Sequence, residues 1–316
     1  MHVKSLCDCK KTNKYSETLV KEIAAADLFY QVMKLSIITI NYNDADGLRK
    51  TIESVASQTC LTDVEYIVVD GASSDGSADV IRENETVVTK WVSEKDTGIY
   101  NAMNKGTAMA SGEYCLFLNS GDSFHDSTVV EKALPLLDGT EFLIGKDFYL
   151  NSSAETDNSA PLSMLRFYYG SIPHQATFIR RDVMAKYGYD ESYRIVSDWK
   201  FFVQALILDN LPYKFIDLVV ADYDCTGISS TQKAKVDIER AKVYEELFPP
   251  RVMSDYLKFV KGSNYSDTDY DKFFVKLRDF RSAKLIYSLD VLLMRFAALF
   301  KKGLAFAKDY PVRLSK

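Results

Sequence analysis

Three apolar runs in the first half of the sequence each end in side chains that can bind a ligand. Amide, hydroxyl and carboxylate groups follow these runs at 41–44, at 70–77 and at 119–122. Each set taken alone is explained by capping of the next helix, because Asn, Asp and Ser are preferred there. Ligands of open parallel sheets, however, bind beyond the carboxyl ends of the strands. Three such sets at one sheet edge therefore predict a binding site.

The motifs that bind phosphate through a glycine-rich backbone are missing from this sequence. No GxGxxG follows the first apolar run and no GxxxxGK[ST] occurs, so neither a Rossmann dinucleotide site nor a P-loop is expected. A nucleotide diphosphate would then need a divalent cation, which one or two carboxylates hold together with phosphate oxygens. Asp122 is the candidate ligand for Mn²⁺ or Mg²⁺, and its alternative role is to cap a helix after Ser123.

The elements that would position these groups alternate between strand and helix. Short β-branched apolar runs predict buried strands, and apolar residues three or four positions apart predict helices between them. This alternation is typical of βαβ units with a mostly parallel sheet and right-handed crossovers, so we expect an α/β fold. The predicted strands are Leu35–Ile40, Glu65–Val69, Val87–Val92, Tyr114–Leu118, Gln175–Ile179 and Tyr213–Tyr223, and the predicted helices are Leu48–Ser57, Ala78–Glu83, Ile99–Ala110 and Asp198–Leu208.

The composition indicates a reduced globular protein that does not bind nucleic acid. The 316 residues include 39 basic and 44 acidic side chains, for a net charge of −5, and 47% are hydrophobic. A nucleic-acid binder needs a basic face, and a disordered chain has fewer apolar residues. The five cysteines form no CxxC pair, which argues against a disulfide framework or a zinc knuckle. Without a long uncharged apolar run or a signal-like segment, a cytoplasmic protein is expected.

The residue pattern divides the chain into three parts. Residues 1–32 are an N-terminal extension, either upstream of a start at Met33 or an ordinary N-terminal helix. Residues 33–230 form the α/β domain, and 231–316 form a helical C-terminal region. Within that region Leu285–Phe300 combines a broad apolar arc with a largely basic polar face, as interfacial membrane helices do. This helix would either contact a membrane peripherally or dock on the domain or on a second copy.

Five segments carry a family resemblance. LSIITINYN at 35–43, EYIVVDGASSDGS at 65–77 and SEKDTGIYNAMNKGTAMASGEYCLFLNSGD at 93–122 resemble glycosyltransferase family 2, the inverting transferases with a GT-A fold. PHQATF at 173–178 and SDWKFF at 197–202 resemble the acceptor half of the subgroup that builds bacterial surface polysaccharides. The resemblance implies a Rossmann-like GT-A fold, in which a mostly parallel sheet is flanked by helices, followed by a helical C-terminal tail.

The resemblance assigns the donor site to residues of the first half. Asp70 matches the aspartate that reads the uracil edge of a UDP-sugar, and Asp96 matches a polar position near the nucleotide. The backbone along the base and ribose corresponds to Ile40, Asn41, Tyr42 and Asn43. Arg194 and the segment 227–230 resemble positions near the diphosphate, with a surface charge and an ordinary loop as the alternative reading.

The family's Asp-x-Asp-type metal motif is only partly present. Asn119 and Asp122 match its ends, and Ser120 lies between them. Asn119 and Gly121 stand where aspartates are common, so only Asp122 keeps a negative charge. The resemblance therefore implies a Mn²⁺ or Mg²⁺ ion that the diphosphate holds more than the protein does.

Asp198 matches the family's catalytic base. An inverting transfer needs a carboxylate that takes the acceptor proton, and a metal that stabilises the departing diphosphate as a Lewis acid. Asp198 follows Ser197 at a predicted helix start, where the helix dipole favours its charged form, and a plain helix cap is the alternative. The predicted acceptor contacts are His174, Gln175 and Trp199. His174 would otherwise touch the metal or bond to backbone, and Trp199 would otherwise belong to the framework.

The sequence thus predicts a hexosyltransferase-type enzyme that moves a sugar from a UDP-sugar to a hydroxyl of a lipid-linked surface glycan. One alternative is a nucleotidyltransferase. Such enzymes usually have a loop rich in glycine and in lysine or arginine after the first strand, and the loop NYNDADG does not have this composition. The other is a non-catalytic carbohydrate-binding protein, favoured by the missing aspartates at 119 and 121. The expected partners are a nucleotide-sugar and a glycan, in the cytoplasm or on the inner face of its membrane.

Overall fold

The computed structural model describes residues 33–260 except 159, 224 and 226. The predicted N-terminal extension, residues 1–32, and the predicted membrane-facing helix, Leu285–Phe300, lie outside the described residues. Both therefore stay predictions.

The first apolar run forms a buried strand within a parallel sheet. β1 (Leu35–Asn41) is buried along its whole length. It pairs in parallel with β2 (Val64–Asp70) on one side and with β4 (Tyr114–Phe117) on the other, and β2 pairs in parallel with β3 (Lys90–Ser93). Parallel strands that are buried on both faces have nearly continuous apolar, β-branched sequences. This half of the sheet could therefore be predicted from the sequence.

The second half of the sheet is mixed. β8 (Thr177–Arg180) pairs antiparallel with β4 and with β6 (Phe142–Tyr149), while β6 pairs in parallel with β9 (Tyr213–Tyr223). The short strands β5 (Ser123–Phe124) and β7 (Ala154–Glu155) pair antiparallel with β9 and β6. The strand order is β3-β2-β1-β4-β8-β6-β9-β5. The predicted parallel arrangement therefore holds for the first half, and β6 is a strand that the apolar pattern does not single out.

Helices connect the strands. α1 (Ala45–Ala56) begins after Asp44, whose carboxylate accepts a hydrogen bond from the backbone of Gly47. Its buried residues follow the helical period and pack on the sheet: Leu48, Thr51, Ile52 and Val55. Further α-helices in the described residues are α2 (Ser77–Glu83), α3 (Ile99–Met109), α4 (Val129–Ala133), α5 (Met164–Tyr169), α6 (Arg181–Tyr187), α7 (Ser197–Phe202), α8 (Ile228–Thr231), α9 (Lys233–Leu247) and α10 (Pro250–Val260).

Two predicted elements differ in kind from those in the structure. The predicted strand at 175–179 starts with a 3₁₀ turn, His174–Ala176, because the Pro173 carbonyl accepts hydrogen bonds from the Ala176 amide and the Thr177 hydroxyl. The predicted helix at 198–208 starts as α7 and continues as a π-helix, Val203–Leu208. Segments of π-helix occur often at functional sites.

The chain divides into two compact units between Val243 and Tyr244. The first unit contains the sheet and extends past residue 230, so α9 begins within it. The predicted domain boundary at 230 stays a prediction. Within the described ranges, no helix is both long enough and apolar enough to cross a membrane.

Candidate active site

A cavity of about 1370 Å³ opens beyond the carboxyl ends of β1 and β4. Most of the residues predicted for the site line it, namely Ile40, Asn41, Tyr42, Asp96, Asn119, Ser120, Asp122, His174, Gln175, Asp198 and Trp199. Asn43 and Asp70 are not among the lining residues. The structure therefore brings the predicted metal, base and acceptor residues, and all but two of the donor residues, to one cavity.

Asp70, at the end of β2, is fully buried and bonded to protein groups. Its carboxylate accepts hydrogen bonds from Asn41 Nδ2 at 2.8 Å, Ser73 Oγ at 2.5 Å, Ser73 N at 3.0 Å and Ser93 Oγ at 2.6 Å. Burial alone would raise the pKa of Asp70, but these bonds hold it below its usual value. Because a carboxylate has about four acceptor positions, a uracil N–H would have to displace one of them. Direct contact between Asp70 and uracil stays a prediction.

Asn43 ties the loop after β1 to the loop after β2. Its backbone N–H donates to Ser73 Oγ at 2.8 Å, and its Oδ1 accepts from the backbone of Ser74 at 2.9 Å. Its φ of 49° lies in the left-handed region, which asparagine tolerates better than most residues. Asn43 and Asp70 thus both hold the loop after β2 in place, next to the lining residues Tyr42 and Gly71.

Tyr42, Asp96 and Gly71 form one wall of the cavity. The Tyr42 side chain is 67% exposed. A Cβ on Gly71 would lie 2.5 Å from Asp96 Oδ2 and 3.0 Å from Tyr42 Cδ2, so only glycine lets both groups approach so closely. The Asp96 carboxylate also accepts the Gly98 amide at 2.9 Å, which fixes its position. An exposed ring beside a fixed carboxylate can stack on a nucleobase and accept its N–H groups.

The turn 119–122 forms hydrogen bonds with α1 and within itself. Gly121 has a φ of 92°, a conformation that side chains other than glycine rarely adopt. Its carbonyl accepts from Lys50 Nζ at 2.6 Å. Asp122 Oδ2 accepts the Asn119 amide at 3.0 Å. The turn therefore brings an aspartate and a lysine ammonium to the cavity wall.

A divalent cation fits the chemistry beside Asp122. In the described part of the chain, no cluster of three or more His, Cys, Asp or Glu side chains is placed to hold a metal alone. Asp147 also lines the cavity, and the buried Oδ1 atoms of Asn119 and Asp147 have no hydrogen-bond partner. Burial raises the pKa of Asp147 to about 7; His174 opposes this shift, while Asp122 and Asp222 add to it. These hard oxygen atoms suit a Mg²⁺ or Mn²⁺ ion shared with a diphosphate.

Asp198 lies in the first turn of α7, paired with His174. Its Oδ2 is 3.3 Å from His174 Nδ1, and its Oδ1 accepts from the Tyr100 hydroxyl at 2.8 Å. Burial alone would raise the pKa of Asp198, but His174, Tyr100 and the Trp199 amide hold it below its usual value. Burial alone would lower the pKa of His174, but the bond to Asp198 and nearby acids raise it. The raised pKa of His174 and the lowered pKa of Asp198 favour a protonated ring beside an ionised carboxylate, and 19% of the Asp198 side chain is exposed.

Comparison with known proteins decides the family. The model of Glycosyl transferase family 2 matches residues 36–192. An uncharacterized glycosyltransferase of Mycobacterium tuberculosis is 31% identical over 263 residues, covering 77% of this chain and 97% of that protein. The chain belongs to glycosyltransferase family 2. The PGL/p-HBAD biosynthesis glycosyltransferase of Mycobacterium bovis is 29% identical over 213 residues, covering 65% of this chain and 82% of that protein.

Solved structures confirm the expected GT-A fold of this family 2 chain. Staphylococcus aureus TarS matches with a TM-score of 0.55 and 17% identity, covering 77% of this chain and 46% of TarS. The chain thus spans about half the length of TarS. A mannosyltransferase of Pyrobaculum calidifontis matches with a TM-score of 0.54 and 13% identity, covering 85% of this chain and 81% of that one. Identities this low establish the fold alone.

The predicted acceptor residues of the family 2 chain are largely buried. Gln175 and Trp199 are only 7% and 2% exposed. Trp199 Nε1 donates to the carbonyls of Phe167 at 3.0 Å and Gly170 at 3.1 Å, and the Arg240 guanidinium lies 4.7 Å from its ring. These contacts favour the framework role of Trp199. An acceptor role for Gln175 and Trp199 stays a prediction.

Sequence reasoning missed several lining residues of this family 2 site. Asp147 lies near the end of β6, and Glu239 lies on α9. Asp147 lies two positions after the short apolar run FLIG, with Lys146 between them, and this run is too short to single out the strand from the sequence. Lys50 and Glu239 lie within helices, where nothing in the sequence distinguishes them from solvated surface charges.

Proposed function

We propose that the chain is an inverting hexosyltransferase that moves a sugar from a UDP-sugar to a hydroxyl of a lipid-linked glycan in surface polysaccharide synthesis. The observation that carries the proposal is the position of Asp198, a carboxylate kept ionised by His174 in the cavity that also contains the turn 119–122. Membership in family 2 supports glycosyl transfer over the nucleotidyltransferase and carbohydrate-binding alternatives.

Asp198 is the proposed general base. A positioned base contributes roughly 10²–10⁴-fold to the rate of a proton-transfer step. The lowered pKa keeps Asp198 ready to accept a proton from the acceptor hydroxyl at neutral pH. His174 and Tyr100 hold the two carboxylate oxygens from different sides, so the carboxylate keeps one orientation while the hydroxyl attacks.

The donor lies, in this proposal, along Tyr42 and Asp96, with its diphosphate near the turn 119–122. Crystals of TarS 1–349 contain UDP or UDP-GlcNAc, and those of the Pyrobaculum mannosyltransferase contain GDP-Man and Mn²⁺, which supports a nucleotide-sugar donor. Asp122 would hold the cation together with the diphosphate, and the bound ion would act as a Lewis acid on the leaving group. Lys50 adds a second positive charge at the cavity wall.

The proposal for the acceptor rests on a relative's name, and the proposal for a membrane location rests on the amphipathic segment 285–300. The Mycobacterium bovis relative is named for PGL/p-HBAD biosynthesis, which supports a cell-surface glycan as the product. A lipid-linked acceptor would place the enzyme at the membrane, where the amphipathic segment 285–300 would bind. Removal of 281–316 should release the protein from anionic liposomes and leave UDP binding intact, since the donor residues precede 231. Co-sedimentation of the truncated chain with liposomes would contradict this part.

A thermal-shift screen followed by an activity assay tests the proposed function. Each UDP-sugar is added with Mn²⁺, and a UDP-sugar that raises the melting temperature is then assayed for UDP release with glycan acceptors. We expect one UDP-sugar to stabilise the chain and to release UDP faster with an acceptor present. The proposal fails if UDP-sugars leave the melting temperature unchanged and no UDP is released.

A further inference from the structure

Helix α9 presents one face to the cavity. The lining residues of this helix are spaced at helical intervals, as one face requires: Lys235, Val236, Glu239 and Arg240. These residues lie in the first compact unit, which ends at Val243. The sequence pattern assigned them to a C-terminal tail beyond the catalytic domain, so their position at the cavity was not expected.

The Glu239 carboxylate binds three consecutive backbone amides. Its Oε1 accepts the Arg194 N–H at 3.0 Å, and its Oε2 accepts the N–H groups of Ile195 at 2.9 Å and Val196 at 3.2 Å. Successive N–H groups in a turn form a concave anion-binding site, and bonds to an ionised acceptor are stronger than neutral ones. The next two residues of the chain are Ser197 and Asp198, the start of α7. Glu239 thus fixes the backbone that leads directly into the proposed base.

Ile195 also connects Glu239 to the proposed base through a series of hydrogen bonds. Its N–H is bound to Glu239, while its carbonyl lies 2.6 Å from the Tyr100 hydroxyl. The same hydroxyl lies 2.8 Å from Asp198 Oδ1. A shift of the Ile195 peptide would therefore change the position of Tyr100 and the hydrogen bonding of Asp198 together.

Arg240, the neighbour of Glu239, contacts the segment that leads to His174. Its Nη2 donates to the Gly170 carbonyl at 3.0 Å, and its guanidinium lies over the Trp199 ring. Gly170 also accepts from Trp199 Nε1, and the chain continues from Gly170 to His174. One turn of α9 thus contacts both segments that supply the His174–Asp198 pair.

We propose that Glu239 is a positioning residue for sugar transfer, which aligns Asp198 by anchoring the amides of 194–196. This inference rests on the proposed function of Asp198 as the base. Misplacement of a reacting group by about 1 Å can cost on the order of a hundredfold in rate. Glu239→Gln keeps the shape of the side chain but replaces one acceptor oxygen with an NH₂ group that faces the same amides.

A double-mutant cycle with Asp198→Asn tests the inference. We expect Glu239→Gln to lower turnover by at least about tenfold while the KM for the UDP-sugar changes less than about twofold. Adding Glu239→Gln to Asp198→Asn should cause no further loss, because residues that act through one another are not additive. Asp237→Asn removes a charge from the exposed side of the same helix and should leave turnover unchanged. Equal losses in both backgrounds would overturn the inference.

Hydrogen exchange provides a readout that does not need activity. In the full chain, peptides covering 194–196 should exchange faster in Glu239→Gln than in the parent, and Asp237→Asn should match the parent. Unchanged protection in Glu239→Gln and in Glu239→Ala would overturn the contact itself. If the parent chain released no UDP from any UDP-sugar, the proposed function would fail, and the exchange result would still decide whether Glu239 anchors this segment.

Discussion

His174 and Asp198 form an ion pair at the wall of the cavity. The Nδ1 atom of His174 lies 3.3 Å from Asp198 Oδ2, and Nε2 of the same ring lies 3.2 Å from the Asn119 side-chain amide. This contact uses the Nδ2 atom of Asn119 and leaves its Oδ1 atom without a hydrogen-bond partner. The ring therefore connects the proposed base to the turn that contains Asp122.

Replacing His174 should move the acid limb of the pH–rate profile. Asp198 has a lowered pKa because the bond to His174 and its charge outweigh burial. In His174→Gln the charge is lost, so the pKa of Asp198 rises and turnover falls at a higher pH on acidification. The measurement is kcat as a function of pH for the parent and for His174→Gln. His125→Gln is the matched control, because His125 pairs with Asp222 at 2.7 Å and does not line the cavity. An acid limb that stays in place in His174→Gln would contradict the assignment.

Asp198→Asn should abolish most of the turnover. A carboxylate that only caps a helix contributes about 1 kcal/mol of stability, whereas a general base contributes roughly 10²–10⁴-fold in rate. We expect a loss of at least about a hundredfold in kcat with unchanged UDP affinity, since the proposed donor residues Tyr42, Asp96 and Asp122 are unchanged in this variant. Asp182→Asn, in the first turn of α6 and outside the cavity, is the control. Near-parental turnover in Asp198→Asn would return Asp198 to a capping role.

Asp122→Asn should remove the effect of divalent cations on UDP binding. The amide keeps an oxygen that can accept the Asn119 N–H but loses the charge that attracts Mn²⁺ or Mg²⁺. UDP affinity, measured by titration calorimetry, should rise with Mn²⁺ in the parent and much less in the variant. Asp46→Asn, an exposed carboxylate in the first turn of α1, should behave like the parent. Equal UDP affinity of the parent with Mn²⁺ and with EDTA would refute the metal assignment.

The residues that the sequence could predict are those whose role follows from a local pattern. Asp122 follows a strand within a family motif, and Asp198 begins a helix within another, so both could be placed at the cavity. Lys50 and Glu239 depend on which helix face meets the cavity, a property of the tertiary fold that a polar helix does not reveal. The donors to Asp70 likewise come from β1, β3 and its own loop, which only the folded chain brings together.

Glu65 forms a buried polar centre at the opposite, amino ends of the strands. It is 2% exposed, and its carboxylate accepts hydrogen bonds from Ser36 Oγ at 2.6 Å, Ser111 Oγ at 2.9 Å and the Gly112 amide at 3.1 Å. Lys90 Nζ lies 2.7 Å from its Oε2. Burial alone would raise the pKa of Glu65, but hydrogen bonds from Lys90, Ser36 and Ser111 lower it from 4.5 to about 2.

The lowered pKa of Glu65 predicts a loss of stability in acid that is independent of the active site. Its folded pKa lies below its unfolded value, so its contribution is complete above about pH 4.5 and is lost as the pH falls towards about 2. A shift of this size corresponds to about 3 kcal/mol in the free energy of unfolding. Glu65→Gln should therefore be destabilised at pH 7, and its deficit relative to the parent should shrink between about pH 4.5 and pH 2, as measured by urea unfolding. Glu83→Gln, which removes an exposed partner of Arg49, should cost less than about 1 kcal/mol. A deficit in Glu65→Gln that stayed constant over this pH range would show that the ionised carboxylate does not stabilise the sheet.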